Sequence, residues 1–428
     1  MLVFAEEPTP RLRYVVHHVF ERMLGWPIAW AGSMEEFRSS KGPKLYYGIR
    51  ELKDSFRVPE SGRLKGKGSS CSSENAIGSG AELRITMVDV EHDLFASIFH
   101  LLSLTDEINA TERDAHDRVP ATSLLLLKHK AEHLPVIDLW VLQLAKDLRS
   151  RFPELPPPGR KFMHVLTVDV DNGLKYAGRP LHRALGATAK DLLQRPGSVA
   201  QRWKVRSGAE ADPYANLPER LARVRGRVDR AIAFFLLRGN GEFDHAADAA
   251  HPVFRELIAS TIEQAEVGLH PSYHSSMEQG MEAAELAQLK EVLKAPVILS
   301  RQHFLRWKLP ETLRRKVDLG ITEEHTLGFT DRVGFRVGTC TPFPWYDMER
   351  DEETPLMLWP FQVMDSAVHE QMGVPMDQAA AQFTTMMNAV RSVDGTFVSV
   401  WHDRYLSGHE QFTGWPEVME EVVEAARK

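Results

Sequence analysis

The chain is expected to fold as an α/β protein in two parts, with a mostly parallel sheet in the second. Three observations predict this. The 428 residues exceed what one ordinary hydrophobic core holds, so two domains are expected. A proline-rich stretch between Arg151 and Arg160, Phe152-Pro153-Glu154-Leu155-Pro156-Pro157-Pro158-Gly159, parts a helical pattern from a strand pattern. Proline forbids helix continuation and favours an extended linker. Beyond that link, short apolar runs alternate with helical stretches, the pattern of βα units.

The first part, residues 1–155, reads as a smaller α/β domain. It opens with a helix around Tyr14 to Met23, on which His17 and His18 have surface or packing places. Lys44 to Gly48 reads as a short strand and turn, and Phe95 to Leu104 as a helix with an apolar stripe. Residues 62–80 are rich in Gly, Ser and Lys and read as a loop; the spacing of a phosphate-cradling loop is absent. Leu139 to Leu148 is an amphipathic helix leading into the proline link. No internal repeat is found.

The second part, residues 156–428, holds candidate strands at His164–Val168, Ala233–Leu237, Glu266–Leu269, Val297–Ser300 and Phe397–Trp401. Helical patterns lie between them at Pro252–Gln264, Gln279–Leu293 and Met376–Ser392. In (β/α) architectures the side chains at the carboxyl ends of strands form the active site. The residues with useful chemistry fall there repeatedly.

Composition narrows the function classes. With 43% hydrophobic and 26% charged residues, the chain is a globular one. A net charge of -7, with arginines spread rather than striped, gives no nucleic-acid footprint. Cys71 and Cys340 fall in different parts, which argues against a disulfide framework and for a reducing compartment. Glu6 and Glu7 interrupt the short apolar start, so no signal peptide is read. The longest apolar runs, such as Leu124 to Leu127, are too short to span a bilayer. A cytoplasmic location is therefore expected; no oligomeric state follows.

The first strand of the second part runs into Asp169-Val170-Asp171. Two acids alternate at a strand end, although an Asx turn before Asn172-Gly173 is a competing use of them. The third ends in His270-Pro271-Ser272-Tyr273-His274. On one helical turn, residues four apart share a face, and two imidazoles so placed grip one cation. Asp171, His270 and His274 together make a three-ligand site with a position open for water or substrate. Zinc suits that set, though iron, cobalt or manganese also accept it. The next strand ends in Arg301-Gln302-His303, where Arg301 is placed to pair with Asp169 and hold it ionised. The last ends in Trp401-His402-Asp403, where His402 suits a general acid.

At these residues the chain resembles the NodB-homology polysaccharide deacetylases, carbohydrate esterase family 4. The matching segments are 167–172, 270–274, 301–304, 331–340 and 401–403, in the family's order. The resemblance implies a distorted (β/α) barrel of about seven strands. It implies Asp169 as catalytic base, Asp171, His270 and His274 as metal ligands, Arg301 as partner of the base and His402 as catalytic acid. It also implies a carbohydrate or glycan substrate, losing an N- or O-acetyl group to a water activated by a divalent metal, zinc by preference. Two departures stand out. The family's first motif commonly has adjacent aspartates, whereas Val170 separates them here. The fourth is replaced by residues 334–347, resembling a subgroup with an extra N-terminal domain of unknown function. Tyr273, Arg336, Trp345 and Asp347 are expected to line the mouth. Cys340 reads as a packed small hydrophobe. Two other functions compete: an amidase acting on a small non-sugar amide, and a non-catalytic glycan-binding or assembly protein.

Overall fold

In a computed structural model, residues 1–66, 93–180, 184–186, 188, 191–192, 196–239 and 241–428 are described. Cys71 and most of the Gly/Ser/Lys-rich stretch lie outside them. The chain divides into two compact units. The first comprises Met1–Phe162, Gly334–Pro360 and Asn388–Phe397; the second comprises Met163–Val333, Phe361–Met387 and Val398–Lys428. The first therefore extends slightly past the expected boundary and takes back two later segments.

The first unit contains a four-stranded sheet in the order Ala29–Trp30, Leu2–Ala5, Lys44–Tyr47, Phe56–Val58, with parallel pairs throughout. The helix Pro10–His17 starts cleanly because Thr9 accepts the Leu12 N–H at 3.2 Å and Pro10 needs no partner for its nitrogen. It continues into a wider turn at His18–Met23, so the helical pattern over Tyr14 to Met23 is realised in two pieces. The later segments give this unit an antiparallel hairpin of Phe343–Asp347 and Glu352–Leu358.

What draws those segments in is buried polar chemistry. Asp138 is fully buried in the helix Val136–Arg151. One of its oxygens accepts from Arg160 and from the Thr341 hydroxyl, both at 2.6 Å. The other accepts from the Thr339 hydroxyl at 2.7 Å and the Cys340 N–H at 3.1 Å. Cys340 is buried, and burial pushes its thiol pKa well above the ordinary value, as befits a packed residue.

The second unit is built on a row of strands. In spatial order they are Glu323–Glu324, Leu299–Ser300, Glu266–Leu269, Arg230–Phe235, Met163–Val170, Thr396–His402 and Val363–Met364. The first five run parallel to one another, and the last two are parallel to each other. Both faces are covered: Met163–Val170 and Thr396–His402 are buried along nearly their whole length, as parallel strands under helices must be. Helices such as Leu217–Val224 and Pro252–Thr261 supply that cover and pack on each other. Among the described residues, no hydrogen bonding closes the row on itself. The mostly parallel α/β sheet is as expected, and among the described residues the expected distorted barrel of about seven strands is not closed.

Candidate metal centre

Side chains alternate across a strand, and this settles the spacing of the two aspartates. Thr167, Asp169 and Asp171 are two apart, so they share one face, while Leu166, Val168 and Val170 face the apolar side. An intervening valine is what an extended chain needs to present both carboxylates together.

His270 follows the strand Glu266–Leu269 and is buried. Its Nδ1 lies 2.5 Å from the Arg301 carbonyl, which can only accept. A ring proton therefore sits on Nδ1, and Nε2 is the nitrogen turned toward Asp171, 3.4 Å from Oδ1. His303 repeats the arrangement. Its Nδ1 meets Asp244 Oδ1 at 2.9 Å and its Nε2 lies 3.6 Å from Asp171 Oδ1. Asp244 is itself fixed by the Tyr273 N–H at 3.0 Å. The ligand atoms of Asp171, His270 and His303 all lie within 4.8 Å of one another, and all three residues are buried. Asp171 Oδ1 is buried with no hydrogen-bond partner. Atoms bound to one tetrahedral zinc at ordinary bond lengths sit about 3.4 Å apart, so this donor set fits such an ion. Burial alone would raise the Asp171 pKa; His303, His270 and His402 outweigh it and hold the carboxyl ionised, well below its ordinary range.

The histidine grouped with Asp171 and His270 is His303, where His274 was expected. Ser272 is extended (φ -60°, ψ 163°), and a short 3-10 turn begins only at Tyr273. His270 and His274 therefore do not share a helical turn. His274 is exposed and packs edge-on against Tyr273.

Asp169 lies beside this group. Its Oδ1 accepts from Arg301 Nη1 at 2.7 Å, and its Oδ2 is 4.0 Å from His270 Nε2. Arg301 is fully buried, a costly position that multiple partners offset. It donates to Thr167 Oγ1 and the His325 carbonyl, each at 2.9 Å, and lies over the Phe234 ring at 4.7 Å. That ring needs the glycine at 268: a Cβ there would meet Phe234 at 2.6 Å.

His402 ends the strand Thr396–His402. Its Nδ1 lies 2.5 Å from Asp365 Oδ1, its N–H donates to Asp365 Oδ2 at 2.7 Å, and its Nε2 is 3.9 Å from Asp171 Oδ2. Burial opposes its charge, but Asp365 wins and raises the pKa to about 9. Asp403, the next residue, is turned elsewhere and accepts the Asn172 and Gly173 N–H groups at 3.1 and 2.7 Å. Arg404 Nη1 approaches Asp171 Oδ2 at 3.5 Å and Nη2 reaches Glu370 at 3.0 Å.

Of the residues expected to meet substrate, Tyr273 lies here, buried between Phe243 (4.3 Å) and Phe304 (5.3 Å). The other three belong to the first unit and have structural partners there. Arg336 donates to Glu107 at 2.6 Å and to the Val119 carbonyl at 2.8 Å. Trp345 is buried in the hairpin, and Asp347 holds its turn by accepting the Glu349 and Arg350 N–H groups. His303, Asp244 and Asp365 were not anticipated. His303 had a signal, because it lies two residues beyond Arg301 at a strand end; Asp244 lies in a loop and Asp365 after a two-residue strand.

Residues 1–153 match the model of a family of unknown function (DUF7033). No curated protein matches the chain. Among solved structures, the chain is similar to a protein of Mycobacterium smegmatis assigned as a polysaccharide deacetylase (17% identity, 64% of this chain and 87% of that one, TM-score 0.40). It is also similar to a polysaccharide deacetylase of Bacillus cereus (13%, 61% and 86%, 0.31). A 4-alpha-glucanotransferase of Thermococcus litoralis gives 10% identity, 62% and 37% coverage and a TM-score of 0.36. No helix among the described residues is long and apolar enough to cross a membrane.

Proposed function

We propose that the protein is a metal-dependent hydrolase that removes an acetyl group from the nitrogen or oxygen of a carbohydrate or glycan precursor. One observation carries this reading: a buried Asp171–His270–His303 group is flanked by an arginine-held carboxylate and an aspartate-held imidazole. The order of the sequence motifs supports the acetylated-sugar substrate. The donor set suits zinc.

When bound, a divalent ion supplies Lewis acidity to an acyl carbonyl and to a water. His270 and His303 each keep Nε2 for it because Arg301 and Asp244 hold their Nδ1 protons. Arg301 takes one oxygen of Asp169 and leaves Oδ2 as the base that accepts the water's proton. His402, protonated at pH 7 with Nδ1–H on Asp365, has an Nε2–H to give to the departing amine or alcohol. The water oxygen adds to the acyl carbon, the carbonyl then re-forms as the bond from that carbon to the sugar nitrogen or oxygen breaks, and acetate and the protonated amine or alcohol leave.

The test is metal analysis of purified protein, followed by acetate release from a panel of N- and O-acetylated sugars beside linear and cyclic amides. About one equivalent of metal and turnover of an acetylated sugar are expected. Protein that takes up no added zinc, cobalt or manganese and releases no acetate contradicts the reading.

A further inference from the structure

A cavity of about 850 Å³ opens within the second unit, at the carboxyl ends of the same parallel strands. This is the scale of a small-ligand site. Arg238, which follows the strand Arg230–Phe235, lines it, as do Ser272 and His274, which follow Glu266–Leu269. Asp244, the residue that orients His303, is part of its wall, so cavity and metal centre share a side chain.

Two guanidiniums in this wall are only partly used by the described residues. Among the described residues, Arg206 uses only Nη1, on the carbonyls of Tyr176 at 3.2 Å and Arg179 at 2.9 Å. Arg238 is half exposed and gives its Nε to the buried Glu285 at 3.1 Å. The remaining N–H groups of these two guanidiniums have no acceptor among the described residues. His251 and His274 line the same space. The two carboxylates in the wall already have structural work. Asp244 serves His303 and the Tyr273 N–H, and Asp248 accepts the Ala250 N–H at 2.9 Å. Guanidinium forks bind carboxylate and phosphate oxygens in pairs, which neutral hydroxyls match poorly.

We propose that this cavity holds a phosphate or carboxylate group carried by the acylated substrate, which makes that substrate an anionic sugar derivative. The inference rests on the hydrolase reading above and adds a substrate class to it. It also gives His274 a place, as a wall residue near the anion.

The experiment is calorimetric titration of the metal-loaded full chain. The ligands are N-acetylglucosamine 6-phosphate, N-acetylmuramic acid and neutral N-acetylglucosamine, with inorganic phosphate as the bare probe. One of the two anionic sugars is expected to bind at least about tenfold more tightly than the neutral one, the value of one charge-assisted hydrogen bond. Which of them does so distinguishes phosphate from carboxylate. Arg238→Gln, at a half-exposed position, is expected to remove that advantage and leave the neutral sugar within about twofold, since only the anion uses the charge. Equal affinity for charged and neutral sugars, or an advantage that survives both Arg238→Gln and Arg206→Gln, overturns the inference. Acetate release on the same panel separates the two readings. Anion binding through Arg238 without acetate release from any sugar removes the hydrolase and keeps the cavity. Acetate release indifferent to substrate charge and to Arg238→Gln removes the cavity and keeps the hydrolase.

Discussion

Asp138 in the first unit and Asp171 in the second are both buried carboxylates, and they have been treated in opposite ways. Asp138 receives four donors, two to each oxygen, so nothing more can be added to it. Asp171 keeps a buried oxygen with no hydrogen bond, aimed between two imidazole nitrogens whose protons are held elsewhere. Burying a charge is costly unless it is paired and hydrogen-bonded. A satisfied buried carboxylate is therefore architecture, and an unsatisfied one among lone pairs is a place for a cation.

The sharpest way to break this contrast is to remove each carboxylate in turn. Asp138→Ala strands the Arg160 charge and is expected to destabilise the protein by roughly 3–5 kcal/mol. Asp171→Ala is expected to destabilise the metal-free chain by less, since only its ion contacts with His270, His303, His402 and Arg404 are lost, while abolishing metal uptake. Calorimetric unfolding and metal analysis read both, and equal destabilisation by the two changes ends the comparison. Next in size, Asp169→Asn and His402→Gln are expected to keep their metal and lose about 10²–10⁴ in rate, the usual worth of a general base or acid. Loss of metal in either variant would make it a ligand instead.

A smaller effect tests the Asp365–His402 pair through pH. A proton donor works below its pKa, so wild-type activity is expected to fall as pH rises through the His402 pKa, which Asp365 holds above the ordinary imidazole value. Asp365→Asn removes the carboxylate that raises this value, and the alkaline limb should move down by up to about two units, toward the ordinary imidazole range. An unmoved limb in the pH–rate profile would assign that limb to another group. The smallest expected effect is the most discriminating for the ligand set. His274→Ala should change metal affinity less than about twofold, whereas His303→Ala should lose 10-fold or more, since it removes a ligand outright. Competition with a chromophoric chelator measures both.

Much of the site was legible because strand ends are legible. Asp169, Asp171, His270, Arg301 and His402 each follow a short, largely apolar run, and the alternation of Thr167, Asp169 and Asp171 is written in the spacing itself. The error at His274 came from applying helical spacing where Pro271 and Ser272 keep the chain extended. Asp244 and Asp365 carry no periodic signal; each is defined by a partner far away in the chain. Arg336, Trp345 and Asp347 lie near the motifs in sequence but in another unit in space. The return of residues 334–360 to the first unit follows from the donors that Thr339, Cys340 and Thr341 bring to Asp138, a long-range fact that no local pattern records.

Arg301 carries a consequence for how the molecule comes to be. Its guanidinium ties Thr167 and Asp169, 134 and 132 residues away, to its own strand and to the His325 carbonyl of the next. Long loops must close before any of these bonds can form. The proposed metal ligands are dispersed too: His270 and His303 follow neighbouring strands, but Asp171 is distant in the chain, so no early, locally ordered fragment holds all three in place. An ion therefore cannot template the nascent chain; it can only reward the finished one, by mass action on the native state. Refolding rates should accordingly be insensitive to added metal, while unfolding should slow with it.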